Sequence, residues 1–299
     1  MAEPKRQPPR GGSRPFRGNA SPGGPRPRRP YSGGPNRPHA SGPSGPARDR
    51  SRDGTSWEKS ADWYDRIIGE NGSELYQQVV VPGALELLGP KRDEVILDLG
   101  CGQGVFSRAM AQRGARVTGL DASASLIHRA RAYPAPGLTY VVRDAAQLDG
   151  LDPMDAISAI LCLQNLQHLD AVCAAACRAL KSGGRMLWVL NHPAFRIPRQ
   201  SSWGFEAERK IQYRRMDAYS SSLQIPILMH PGRADSESTL SVHRSLEELM
   251  QPAFAAGLQL AGLREWHSHK ESQPGPRARA ENRARREFPL FLALLWRKP

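Results

Sequence analysis

The chain has 299 residues and a formal charge of +13, from 42 Lys and Arg against 29 Asp and Glu, which is length enough for one large domain or two small ones. The charge is uneven: residues 1–56 hold 12 Lys/Arg and 3 Asp/Glu, a net +9 that leaves +4 for residues 57–299, so the basicity belongs to the tail. No apolar run approaches the roughly 18–20 residues of a membrane span, no signal-peptide core is present, and cysteines at 101, 162, 173 and 177 lack C-x-x-C spacing, which excludes a disulfide framework or a zinc site and points to a cytoplasmic protein.

Residues 1–56 include 12 Pro and 10 Gly and almost no aliphatic side chains. Such a segment cannot bury enough apolar surface to offset the entropy of ordering, so it is expected to be disordered. Arg10-Gly11-Gly12 and Pro27-Arg28-Arg29-Pro30-Tyr31 suit weak RNA or anionic-surface contact, although a solubilising extension explains them equally. Dense Pro and Gly prevent the amphipathic helix of a transit peptide.

From Ser56 the composition shifts, and residues 57–299 read as the catalytic domain. Trp57, Trp63, Tyr64, Ile67 and Ile68 open an apolar-spaced helical region that Leu75 to Leu88 continues, interrupted at Pro82 and closed by Gly89-Pro90. Val95 to Leu99 is a buried strand carrying Asp98, and it opens into Gly100-Cys101-Gly102-Gln103-Gly104 before a helix from Val105 to Arg113. Arg116 to Asp121 is a second strand with a terminal acid. Ser123 caps a helix from Ala124 to Ala132. Thr139 to Val142 is a third strand followed by Arg143-Asp144-Ala145, and Asp155 to Leu163 is a fourth. A helix over Asp170 to Leu180, a turn at Lys181-Ser182-Gly183-Gly184 and a fifth strand from Arg185 to Leu190 follow.

Strands alternating with helices predict an α/β fold with a parallel sheet covered on both faces. Towards the C-terminus Ser245 to Ala256 is helical, while Leu258 to Trp266 and Phe288 to Trp296 are strand-like. No helix is evident between those two, which predicts an antiparallel pair. Pro193 to Thr239 is long for a connection within one domain, and a segment of that kind tends to be functional.

The spacing Asp-x-Gly-x-Gly-x-Gly, with an acid ending the second strand, differs from the Gly-x-Gly-x-x-Gly of pyrophosphate sites. A carboxylate beside the glycine turn suits a ligand that carries an ammonium group. The segment resembles the glycine-rich loop of class I S-adenosylmethionine (SAM)-dependent methyltransferases, in general look the ubiquinone/menaquinone-type, small-molecule branch. The resemblance spans about 57–192 and 240–298. It implies a Rossmann-like fold, a seven-stranded mostly parallel sheet with a reversed C-terminal strand and helices on both faces.

It also implies SAM as cofactor. Asp98, Gly100, Cys101, Gly102 and Gly104 would receive the methionine end, Asp121 the ribose hydroxyls with Ala122 beside the adenine, and Asp144 and Ala145 the adenine edge. Leu161 would sit where the methyl group emerges, with Gln164 beyond it. Cys162 reads as a packing residue. His168 lies four residues after Gln164, on the same face if the stretch is helical, and is a candidate general base; His192 is its rival. Tyr64 and Tyr76 lie on helices that fold over the cofactor in related enzymes. Trp203, Tyr213 and Arg214 in the 193–239 insertion are candidate acceptor contacts or parts of a satellite core, and His243 and Arg244 are weaker ones. No metal is called for.

The leading function is in-line methyl transfer to an O, N or C nucleophile of a small molecule. The same chemistry on RNA or protein recruited by the tail remains open. So do a nicotinamide-dependent reductase and a non-catalytic SAM-binding scaffold.

Overall fold

The computed structural model describes residues 72–228 and 238–299. The basic tail and Tyr64 lie outside those residues. The first described element is a π-helical turn, Tyr76–Val80, which runs into α1 (Val81–Leu88). Pro82 lacks an N–H to donate and stands in the first turn of α1, where a helix tolerates it. Gly89 then closes the helix at φ 58°.

Parallel strands alternate with helices through β1 (Val95–Leu99), α2 (Val105–Ala111), β2 (Arg116–Asp121), α3 (Ala124–Arg131), β3 (Leu138–Val142), β4 (Met154–Ile160), α4 (Leu169–Ala179) and β5 (Leu180–Asn191). Two hairpin pairs follow, β6 (Ser201–Glu206) with β7 (Ile211–Met216) and β8 (Leu223–Leu228) with β9 (Ser238–His243). The chain ends with α5 (Leu246–Ala255), β10 (Gln259–Trp266), α6 (Ala278–Glu287) and β11 (Phe291–Arg297). The main sheet has seven strands in the order β10-β11-β5-β4-β1-β2-β3, and β11 runs antiparallel to both neighbours. This is the Rossmann-like sheet expected from the sequence, with its reversed terminal strand.

Burial explains the strand composition. β1, β4, β5 and β11 are covered on both faces, so they read as near-continuous apolar runs. Alternate residues serve opposite cores: Ile96, Ala156 and Leu187 pack with α1 and α2. Leu97, Leu99, Trp188 and Trp296 pack with α4 and α5. Trp188 and Trp296 meet at 5.1 Å, and Phe254 of α5 sits edge-on to Trp296 at 5.1 Å.

Two expectations are corrected. Lys181 to Gly184 is not a turn outside the sheet: it is an irregularity within β5, where the register jumps from Met154↔Leu180 to Ala156↔Arg185. The chain ends β11 beside it, with Gly183 N–H donating to the Lys298 carbonyl at 3.0 Å. A helix, α6, does lie between β10 and β11, although those strands pair antiparallel as expected. Its sequence ARAENRARRE has alanine as its only apolar residue type, so helix propensity rather than an apolar stripe forms it, and Ala284 is its only buried residue.

At the amino end of the sheet Arg185 donates to the carbonyls of Leu88 at 2.6 Å and Gly89 at 2.9 Å, and pairs with Glu94 at 2.7 Å. The side chains of the pair are only 13% and 18% exposed. Arg185→Met should strand Glu94 and the C-terminal carbonyls of α1, lowering urea-derived stability by about 2 kcal/mol.

Candidate functional site

The carboxyl ends of the parallel strands carry the expected residues. Gly100, Gly102 and Gly104 have φ of 61°, 56° and 80°, a region that side-chain-bearing residues rarely adopt. Space gives a second reason. A Cβ at Gly100 would lie 2.6 Å from that of Cys162, and one at Gly104 would run into the Tyr140 ring. Tyr140, on β3 opposite Gly119 of β2, therefore fills the floor under the loop. Its hydroxyl donates to the Gly104 carbonyl at 3.5 Å, and burial pushes its pKa up to about 12. Sequence reasoning missed this residue; the signal was a tyrosine on a strand whose register partner is glycine.

Asp121 ties the loop to the next helix. Its Oδ2 accepts from the Gly102 N–H and its Oδ1 from the Ser123 N–H, both at 2.9 Å. Ser123 in turn caps α3 by accepting from Leu126 N–H at 3.2 Å. Ala122 is exposed beside them. Asp144 is also exposed and accepts from Ala146 N–H at 2.7 Å, an Asx turn, and Ala145 is buried next to it. Leu161 follows β4 at φ 55°.

Asp98 takes a structural role under the glycine loop, with both carboxylate oxygens engaged by hydroxyls. It is 2% exposed, with Oδ2 accepting from Ser107 Oγ at 2.6 Å and Oδ1 from Ser158 Oγ at 2.7 Å. Burial outweighs these hydroxyls and raises its pKa from 3.8 to about 6. Cys101 is partly exposed in the loop. Cys162 is a packing residue whose thiol donates to the Leu99 carbonyl at 3.2 Å, and burial drives its pKa up.

A second depression opens where β4 and β5 end, walled by the turn after β5, by β9 and by α5. Gln164, Asn191, Arg196, Ser241, His243 and Arg244 supply its polar atoms. Gln164 Nε2 donates to the Leu161 carbonyl at 2.6 Å, while its Oε1 is buried and meets no donor among the described residues. Arg244 donates to the carbonyls of Leu166 at 2.6 Å and Gln167 at 2.9 Å, so it holds the turn that presents Gln164.

The remaining candidates stand elsewhere. The stretch from Gln164 to His168 is not one helix: a 3-10 turn covers Leu163–Asn165, and His168 is an exposed residue preceding α4. His192 is 3% exposed and both ring nitrogens are engaged. Its Nδ1 accepts from Ala194 N–H at 3.2 Å, which leaves the proton on Nε2 to donate to Glu265 Oε1 at 2.8 Å. Burial holds its pKa below the usual histidine value despite Glu265. It staples the end of β5 to β10 and offers no free lone pair.

Trp203 and Tyr213 are 42% and 45% exposed, on the paired strands β6 and β7. Trp203 packs edge-on against Phe288, and Arg214 lies over its ring while donating to Phe195 O and Ser201 Oγ, each at 2.7 Å. Trp203, Arg214 and Phe288 form a satellite cluster, the Tyr213 ring lies over Gly204, and none of the three candidates lines the depression. Tyr76 packs against the core of α1 and α2. Among the described residues there is no metal-ligating cluster of His, Cys, Asp or Glu, and no helix is long and apolar enough to cross a membrane.

Comparison with known proteins places this geometry. Residues 96–184 match the family model of a methyltransferase domain. A 23S rRNA (uracil(1939)-C(5))-methyltransferase of Nitrosospira multiformis is 47% identical over 57 residues, which are 19% of this chain and 13% of that protein, so the chain spans a small part of that curated relative. The crystal structure of an S-adenosylmethionine-dependent methyltransferase from Mesorhizobium loti superposes with a TM-score of 0.57 at 25% identity, covering 73% of this chain and 96% of that one. A structure from Listeria monocytogenes, titled as a putative methyltransferase of the same kind, shares the fold with a TM-score of 0.53 at 22% identity over 73% of this chain and 99% of that one.

The buried Asp98 gives a pH signature. Its folded-state pKa lies above the unfolded value, so its contribution is fully present below about pH 4 and is lost as pH rises through about 6. The whole swing is about 3 kcal/mol. Thermal midpoints of Asp98→Asn measured from pH 4 to 7.5 should lack the decline that the wild-type chain shows in that window.

Proposed function

We propose that this chain, which belongs to the class I S-adenosylmethionine-dependent methyltransferases, moves the methyl group of that cofactor onto a nucleophilic atom of a small molecule seated beside Gln164. The residues fit the cofactor. The left-handed glycine loop lets backbone approach the methionine end closely. Asp121 ends β2 with its carboxylate on the Gly102 and Ser123 amides, where it would meet the ribose hydroxyls, and Asp144 and Ala145 stand just past the end of β3 for the adenine. When bound, the cofactor supplies an electrophilic methyl on a sulfonium.

The observation that carries the acceptor reading is the buried, unmatched Oε1 of Gln164, four residues past the end of β4. It would accept the hydrogen of an O–H or N–H nucleophile and so orient the atom to be methylated. With His192 engaged and His168 exposed, the reading relies on proximity and alignment rather than on a strong general base. The reductase alternative finds no support, since the glycine spacing and reversed β11 go with the methyltransferase family. Asp98 acts in this reading as the internal tie of the loop rather than as a ligand.

A second reading, methylation of RNA, is favoured by the short match to the rRNA uracil-C5 enzyme. Carbon-5 of uracil becomes nucleophilic only after another group adds to the ring. The two thiols near the glycine loop, Cys101 and Cys162, are both pushed towards the neutral form by burial. Each thiol also points at a backbone carbonyl, Cys101 at Gly102 O and Cys162 at Leu99 O, rather than at a base that would activate it, and the small-molecule reading is preferred.

Calorimetry of the whole chain should show binding of SAM and S-adenosylhomocysteine but not NADH. Asp121→Ala is expected to weaken SAM binding by about 2–4 kcal/mol, since charge-assisted hydrogen bonds of about 1.5–3 kcal/mol each are lost less than additively. Gln164→Leu should keep SAM affinity within about threefold, or 0.6 kcal/mol, while stopping transfer of labelled methyl into a small-metabolite extract. Label that enters bulk RNA instead, and does so with Gln164→Leu as well, would favour the second reading.

A further inference from the structure

The depression beside Gln164 has an electrostatic asymmetry that methyl transfer alone does not demand. Arg196 and Arg244 line it together with His243, and no Asp or Glu does. The two guanidinium groups differ. Arg244 spends its donors on the carbonyls of Leu163, Leu166 and Gln167. Arg196 is anchored through its backbone, with its N–H donating to the His192 carbonyl at 2.8 Å. Its guanidinium lies 5.2 Å over the Phe291 ring and makes one long bond, Nη1 to Leu290 O at 3.4 Å. Its Nε and Nη2 meet no acceptor among the described residues.

Burial, with Arg214 next in effect, holds the Arg196 pKa below the usual arginine value. A guanidinium does not shed its proton in a protein, so a half-buried one without a carboxylate is a charge waiting for a counter-charge. We propose that this depression binds an acceptor carrying a carboxylate on an apolar body, with the carboxylate held by Arg196. The inference rests on the methyl-transfer reading only in taking the depression as the acceptor site.

The choice of carboxylate over phosphate follows from the rest of the wall. Leu163, Leu190, Pro193, Val242 and Leu249 make most of it apolar. One guanidinium with free donors matches the planar, singly charged carboxylate through two parallel N–H···O bonds. A phosphomonoester dianion presents three oxygens that call for donors, more than Arg196 Nε and Nη2 offer while Arg244 is committed to carbonyls.

The test uses the full chain, with and without saturating S-adenosylhomocysteine, titrated with benzoate, hexanoate, benzamide and phenyl phosphate. At least one carboxylate should bind about tenfold more tightly than benzamide, and more tightly than phenyl phosphate. Arg196→Gln should weaken that carboxylate by about tenfold or more, Arg196→Lys should retain part of the binding, and S-adenosylhomocysteine affinity should stay within about threefold in both.

Because Arg196→Gln also removes the contact with Phe291, Ser241→Asp supplies a second variant. It places a negative charge in the same depression, leaves Arg196 intact, and should abolish carboxylate binding too. The proposal is overturned if benzamide matches the carboxylates, if phenyl phosphate binds best, or if both variants bind carboxylate as the wild type does. Absence of binding by both carboxylates up to about 20 mM, only about 2.3 kcal/mol of affinity, also overturns it. S-adenosylhomocysteine that fails to bind while carboxylate binds through Arg196 would remove the methyl-transfer reading and leave the carboxylate site standing.

Discussion

A single buried carboxylate joins the parts on which the cofactor cleft depends. Asp98 sits on β1, beside the central strand β4, and takes one hydroxyl from Ser158 of β4 and one from Ser107 of helix α2. The bond to Ser107 closes the ends of the glycine loop, so strand, loop and helix are held as one closed ring. The bond to Ser158 anchors that ring to β4, whose far end leads to Leu161 and Gln164. The glycine loop and the proposed acceptor wall are thereby referred to one carboxylate within the sheet. The arrangement has a cost, because water has been stripped from an acid that two hydroxyls only partly compensate.

Around this tie, packing finishes what hydrogen bonds begin. Tyr140 and Cys162 press against the loop from β3 and from the turn after β4, and both need glycine opposite them. On the acceptor side the post-β5 insertion acts as scaffolding. Tyr219 accepts at its carbonyl from His243 Nε2 at 2.7 Å and at its hydroxyl from Leu246 N–H at 3.0 Å. These bonds fix the junction of β9 and α5, which sets Arg244 against the turn that carries Gln164. The β6–β7 pair braces the other side through Trp203 on Phe288.

The fold was legible because its signals are local. Strands buried on both faces give apolar runs, and left-handed turns need glycine, so the β1 loop and the acid-ended β2 can be read along the chain; the antiparallel β10–β11 pair was expected from a missing helix that is in fact present. Gln164, His243 and Arg244 line one depression, and their places at or shortly after the ends of β4 and β9 can be read along the chain. What was not legible depends on pairings remote in sequence. His192 looks like a free base until Glu265, 73 residues away, is seen on its Nε2. Trp203 and Arg214 look like acceptor contacts until they are found holding each other and Phe288. Arg196 carried no signal at all, because an unpaired cation is defined by what does not surround it. Helix α6 escaped because alanine and arginine make a helix without an apolar stripe.

Leu161 turns left-handed immediately after β4, a conformation that costs a branched residue on the order of 1–3 kcal/mol. The turn sends its carbonyl to the amide nitrogen of Gln164, so the two ends of that amide are not interchangeable: nitrogen is committed to the backbone and oxygen is left for the visitor. Polarity of recognition is thus written into a peptide plane rather than into the choice of side chain. In the proposed acceptor role, a guest that brings a hydrogen would match that oxygen, whereas a thioether or a fully substituted amine would set lone pair against lone pair.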